Sequence, residues 1–111
     1  MGIVAEKRES HLPEALDQFI AQYPQVWEAY NRLGEAAAEA GPLDEKTRRL
    51  VKLAVAIGAG REGAVHAHVR QARQEGITPE ELLHVGVLAI TTIGWPGAFA
   101  AITWISDLLQ S

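Results

Sequence analysis

Apolar residues recur at helical spacing along the whole chain, and the pattern is strongest between Leu43 and Ala72. From Leu50 to Ile57 only one position is polar, and a helix that is apolar on nearly all sides has to be buried on more than one side. After a glycine-containing corner at 58–60, a second helix carries a narrower apolar stripe that includes His68. The pattern therefore predicts two packed helices with a titratable imidazole on an apolar face.

Proline, glycine and capping residues divide the rest of the chain into further helical segments. A helix that begins near Leu12-Pro13 is expected to end just before Pro24, and the next to end at Gly41-Pro42. Asp44 is a good N-cap for the helix that follows, and Thr78–Glu81 has the pattern of a capping box. A further helix runs to about Ile93, and the last begins at Pro96.

No segment shows the alternation typical of a strand, so the sequence predicts an all-α fold of about six helices. The 111 residues fit a single domain, 1–111. Two of its helices are apolar on nearly all sides, and four amphipathic neighbours are too few to cover them. We therefore expect a homo-oligomer with closed symmetry, and a tight six-helix monomer is the alternative.

Composition excludes several classes of function. The formal net charge of −4 gives no reason to expect nucleic acid or an anionic membrane surface as a partner. The first ten residues are polar and no apolar run is long enough to span a bilayer, so a cytoplasmic protein is expected. The chain has no cysteine, which excludes thiolate metal sites and every thiol-based redox mechanism.

His68 is the first candidate for chemistry, because imidazole titrates nearest to neutral pH and serves as a general acid or base. The alternative is a core histidine whose ring nitrogens are satisfied by hydrogen bonds. Arg61 precedes His68 by seven residues and falls on much the same side of the helix, where it could hold a carboxylate. Alternatively, Arg61 and Glu62 are a solvated pair at the start of the helix, with the acid favoured by the helix dipole.

Other polar groups are weaker candidates. His66 and His68 are two residues apart on a helix and point to opposite sides, so no metal site is predicted from them, and His84 lies on another helix. Arg49 and Lys52 are cations that could edge a pocket near the corner. Trp95 could form the wall of a cavity, although ordinary packing is the alternative. The candidate substrate-binding residues are Arg49, Glu62, Trp95 and His84.

Several motifs together resemble the carboxymuconolactone decarboxylase family, which also contains the alkylhydroperoxidase D-like proteins. The resemblance covers about residues 43–104. It rests on Leu43-Asp-Glu-Lys-Thr-Arg48, the LAVA run at 53–56, His68-Val-Arg-x-Ala72, Gly76-Ile-Thr-Pro-Glu-Glu81 and Gly94-Trp95-Pro96. It implies an all-helical fold that assembles as a homotrimer or homohexamer.

The two branches of the family imply different chemistry. The peroxidase branch uses a C-x-x-C-x-x-x-H motif and an upstream glutamate; here its cysteines fall at Arg61 and Ala64, its histidine at His68 and its glutamate at Arg49. A thiol peroxidase is therefore excluded. The decarboxylase branch is similar in lacking the cysteines, in an arginine seven residues before the histidine (Arg61 to His68) and in its Gly-Trp-Pro corner, but its histidine six residues before that corner is replaced by Leu88.

The resemblance implies decarboxylation or protonation of a small unsaturated lactone or keto acid, without metal or organic cofactor. In that hypothesis Arg61 orients the departing carboxylate and His68 delivers or shuttles the proton. The alternative is a non-catalytic oligomer of the same fold that binds a small acidic or apolar molecule, or has a structural role only.

Overall fold

The computed structural model describes residues 11–109, with side chains from residue 14 onward, and this part of the chain is all-α. The prediction of about six helices is confirmed for these residues. The helices are α1 (His11–Gln22), α2 (Pro24–Ala38), α3 (Glu45–Ala59), α4 (Glu62–Gln74), α5 (Pro79–Ile93) and α6 (Trp95–Asp107).

The helices form two compact units that divide between Pro42 and Leu43. In the first unit, α1 packs against α2, and the rings of Trp27 and Tyr30 within α2 lie close together, with centroids 5.6 Å apart. No residue of α2 is buried. The prediction of one domain over 1–111 stays a prediction.

The second unit is a four-helix arrangement in which α3 packs on α4 and α5, and α6 packs on α4 and α5. Each helix contributes small or branched apolar side chains to one core. Its fully buried members include Leu53 from α3, Val65 and Val69 from α4, Leu82 from α5 and Ile105 from α6. The stripe that carries His68 thus faces a real core.

Local signals in the sequence fix the ends of these helices. Asp44 caps α3 by accepting a hydrogen bond from the Thr47 N–H at 2.8 Å. Thr78 and Glu81 form the predicted capping box of α5, with each side chain bonded to the other residue's backbone N–H. The corner is tighter than expected: α3 continues through Ala59, and Gly60 alone turns the chain, with φ +70°.

α5 and α6 pack closely at Gly86, which is buried in the middle of α5. A Cβ atom at this position would lie 2.7 Å from Cγ1 of Ile102 on α6. Because that carbon belongs to a β-branched side chain with few rotamers, it has little room to move. Glycine is therefore what allows these two helices to pack at this distance.

Both helices that the sequence predicted to be apolar on nearly all sides have an uncovered face. Val55 on α3 is 65% exposed and Leu88 on α5 is 60% exposed, and Trp95 and Phe99 on α6 are exposed too, with their rings stacked 5.0 Å apart. Among the described residues, none of the helices combines the length and apolar character needed to cross a membrane.

Candidate functional site

The best-defined polar site of the second unit is a triad of side chains: Arg49 on α3, His68 on α4 and Glu75 at the C-terminus of α4. Arg49 on α3 lies with Nη1 2.8 Å from Nδ1 of His68 on α4. The same guanidinium forms two further hydrogen bonds to the carboxylate of Glu75, the residue that caps the C-terminus of α4, at 3.0 and 3.1 Å. Arg49 and Glu75 have side chains only 16% and 24% exposed, so this forked pair is shielded from water.

The contact with Arg49 fixes the tautomer of His68. A guanidinium has five N–H donors and no acceptor, so Nδ1 of the imidazole must be the acceptor in this hydrogen bond. The neutral ring then carries its proton on Nε2. In the described part of the chain Nε2 has no hydrogen-bond partner, and it is not among the buried unpaired atoms, so it retains contact with solvent. The histidine therefore offers one free N–H donor.

The surroundings of His68 strongly favour the neutral ring. The pKa of His68 is lowered from its ordinary value of 6.5 to about 4, mainly because the ring is buried; the positive charges of Arg49 and Lys52 contribute to the same shift, and Glu75 opposes it. At neutral pH the imidazolium form is therefore very sparsely populated. Two cations, Arg49 and Lys52, and one anion, Glu75, surround the ring. The Nε2–H donor of His68 belongs to a neutral side chain.

The other residues of the predicted site lie apart from this triad. Arg61 is the N-cap residue of α4 and exposed, and in the described residues its guanidinium makes no hydrogen bond or ion pair. Glu62 follows it in the first turn of α4, exposed as well. Trp95 contacts Phe99 at the start of α6. Of the predicted residues, the structure brings only His68 and Arg49 into direct contact.

His84 lies in a groove between α3 and α5, not beside His68. The groove has a volume of about 630 Å³ and a mostly apolar lining that includes Val51, Ala54 and Leu88. Lys46 and Glu81 form an ion pair that joins the starts of the two helices near one end of it. This groove is a second place where a small molecule can bind, and its chemistry is apolar.

His66 and His68 point to opposite sides of α4, as their spacing predicted. His68 contacts α3, whereas Nε2 of His66 lies 3.3 Å from Oδ2 of Asp107 at the end of α6. The two imidazoles therefore belong to separate environments and cannot share one ion.

Glu75 is the residue of the site that sequence reasoning missed. It lies seven residues after His68, the spacing that returns to the same side of a helix, and this was the available signal.

Fold and site together define a class: an all-helical protein without cysteine, in which a neutral histidine is held by an arginine of the preceding helix. The chain belongs to the carboxymuconolactone decarboxylase family, whose sequence pattern it matches over residues 24–107. The match extends further toward the N-terminus than the motifs at 43–104 and includes α2.

One solved structure supports this assignment, and a second relative is similar in sequence. A crystal structure of the apo form of a carboxymuconolactone decarboxylase family protein from Legionella pneumophila superimposes with a TM-score of 0.73 at 26% identity, over 86% of this chain and 88% of that one. An uncharacterized protein from Haemophilus influenzae is 40% identical over 67 residues, which are 60% of this chain. The chain spans only 59% of the length of that relative.

Proposed function

We propose that this protein is a cofactor-independent decarboxylase-like enzyme that acts on a small unsaturated lactone or keto acid at His68. The observation that carries the proposal is the 2.8 Å contact between Arg49 Nη1 and His68 Nδ1, because it leaves a neutral Nε2–H as a solvent-accessible donor. A donor held in one orientation beside two cations suits an oxygen that becomes negative during a reaction. Family membership supports the reaction type.

The proposed step loses carbon dioxide and gains a proton. The bond between the ring carbon and the substrate carboxylate breaks, CO₂ leaves, and the electron pair moves through the conjugated double bond onto the carbonyl oxygen. Nε2–H of His68 donates a hydrogen bond to that oxygen, and the ring carbon then takes a proton from water. His68 acts as a donor and does not deliver the proton, because its pKa of about 4 leaves almost no imidazolium at neutral pH.

Arg61 is proposed to orient the substrate carboxylate. Its guanidinium has no partner in the described chain, and seven residues correspond to about 10 Å of helix rise between its backbone and that of His68. An extended arginine side chain together with a small lactone can cover that distance. Glu75 holds Arg49 in place and so acts as a positioning residue.

The proposal includes a homo-oligomer, a trimer or a hexamer. The support is the number of large apolar side chains that are exposed on α3, α5 and α6, among them Val55, Leu88 and Trp95. The cytoplasmic location remains a prediction. The lack of nucleic-acid and membrane partners stays a prediction.

The first test is an assay of turnover with carboxymuconolactone and with β-keto acids, in which the release of CO₂ is measured. Removing one donor to a developing oxyanion costs about 10²–10³-fold in rate, so His68→Asn should lose activity to that extent while it still accepts the hydrogen bond from Arg49. Arg61→Ala should raise KM, and Arg73→Ala, another exposed arginine on α4, is the matched control. Equal activity in the wild type and His68→Asn would refute the role of His68.

A thermal-shift screen separates function from packing at the same residue. If His68 binds a ligand, lactones or dicarboxylates should raise the Tm of the wild type and not that of His68→Ala. If His68 only packs, His68→Ala should lose about 1–3 kcal/mol of stability and no compound should shift the wild type. That second result would refute the proposal that the protein is an enzyme acting at His68.

A non-catalytic binding protein is the second candidate, and the groove between α3 and α5 favours it. Its lining would hold a small apolar molecule, with His84 as a polar contact. Ala54→Trp should fill the groove and abolish such binding while His68→Asn leaves it unchanged. The reverse pattern would assign the ligand to His68.

A further inference from the structure

A second cluster of ligating side chains lies where α4 meets the end of α6. Glu62 and His66 are one turn apart on α4, and Asp107 is the last residue of α6. One ligand atom from each of the three lies within 4.8 Å of the other two. We propose that these side chains form a binding site for a divalent transition metal ion, with Zn²⁺ as the representative.

The distances suit a small divalent ion. Bonds of about 2.0–2.2 Å from zinc to nitrogen and oxygen place two ligands of a tetrahedral site about 3.3–3.6 Å apart. Nε2 of His66 and Oδ2 of Asp107 are already separated by 3.3 Å. Glu62 is exposed, so its carboxylate can rotate toward the other two without disturbing the core. Three protein ligands leave one position for water.

The donor set and its electrostatics favour a cation of intermediate softness. One imidazole nitrogen and two carboxylate oxygens suit Zn²⁺, whereas Mg²⁺ prefers an octahedron of oxygens. Asp107 places a negative charge at the C-terminal end of α6, which is already the negative end of the helix dipole, and the last turn of α6 has no basic side chain. A bound cation would neutralise both, and the alternative without an ion is a simple pair between His66 and Asp107.

This site is independent of the proposed function. His66 lies two residues from His68 and therefore about 200° around the helix, and it faces α6 instead of Arg49. An ion at this position would join the start of α4 to the end of α6. Its presence or absence says nothing about turnover at His68.

The test is a calorimetric titration of Zn²⁺ alone into the full chain, prepared without purification histidines. We expect one equivalent bound per chain, a higher Tm with Zn²⁺, and no comparable effect of Mg²⁺. His66→Ala and Asp107→Asn should each weaken Zn²⁺ binding at least about tenfold. The matched controls, His84→Ala and Glu80→Gln, should bind as the wild type does.

Three outcomes would overturn the proposal: no heat of binding, binding that is unchanged in both cluster variants, or binding that is lost in His84→Ala. If His66→Ala fails to fold, Asp107→Asn decides, since the Asp107 side chain is 56% exposed and asparagine keeps its size. Unchanged Zn²⁺ affinity in a folded Asp107→Asn is then the refuting result.

Discussion

Replacing Arg49 with methionine should raise the pKa of His68, because the positive charge and the hydrogen bond to Nδ1 are both removed. The full depression from 6.5 to about 4 corresponds to about 3 kcal/mol between the two protonation states. Burial is its largest cause and stays in the variant, so the pKa should recover only in part, by roughly one pH unit. Arg49→Lys should recover less, since it keeps the charge and loses the fork to Glu75.

The assay is a titration followed by NMR of imidazole nitrogens, which reports both the pKa and the tautomer. In the wild type at pH 7 the proton should reside on Nε2, and the ring should titrate near pH 4. In Arg49→Met the Nε2–H preference should weaken, because Nδ1 no longer accepts from a fixed donor. A wild-type ring that titrates near 6.5, or that carries its proton on Nδ1 at pH 7, would refute the assignment.

The same shift predicts how stability depends on pH. Since the pKa is lowered in the folded state, the unfolded chain binds more protons between about pH 6.5 and 4, and the free energy of unfolding should fall as the pH is lowered through that range. His68 is only partly buried, so solvent screening reduces the loss to about 1–2 kcal/mol. Urea unfolding at fixed protein concentration measures it, and His68→Asn should lack this component.

Three further substitutions test the packing of two helices, a helix cap and the proposed subunit interface. Gly86→Ala should destabilise by about 1–2 kcal/mol through the contact with Ile102, and a double-mutant cycle with Ile102→Ala should show that the two costs are coupled. Asp44→Ala should cost about 1 kcal/mol in urea unfolding because Thr47 loses its cap, whereas Asp44→Asn should cost little. Val55→Lys should reduce the mass measured by sedimentation while helicity by circular dichroism is retained, if the uncovered face of α3 is a subunit interface; an unchanged mass contradicts that.

The helices were predictable because their signals are local. Periodicity over one or two turns, the aspartate before α3 and the capping box before α5 specify where each helix lies, and the structure confirms them. The resemblance to the family also predicted the arrangement of the helices, because the family's motifs span several helices in a fixed order. The exception is the corner at Gly60, where the sequence offered two glycines and only the backbone conformation distinguishes which one turns the chain.

The contacts of the site were less accessible because they join distant positions. Arg49 and Glu75 are 26 residues apart, and His66 and Asp107 are 41 apart, so no local pattern pairs them. Helical spacing did separate the directions of His66 and His68 correctly. The side chains that each imidazole contacts depend on how α3 and α6 pack against α4, and that packing is determined by the core of the second unit.

The identity of residue 49 changes what the histidine can do. In the peroxidase branch of the family, whose cysteine motif this chain lacks, the resemblance places a glutamate at the position of Arg49, and a carboxylate beside an imidazole raises its pKa and helps it to carry protons. An arginine lowers the pKa instead and occupies Nδ1, so proton relay is lost and a neutral N–H donor is gained. Because the chain has no cysteine, there is no thiol from which a proton relay through His68 could remove a proton. A fixed donor in positive surroundings still has a use wherever negative charge develops on a substrate oxygen, and the arginine and the missing cysteines therefore favour the same chemistry.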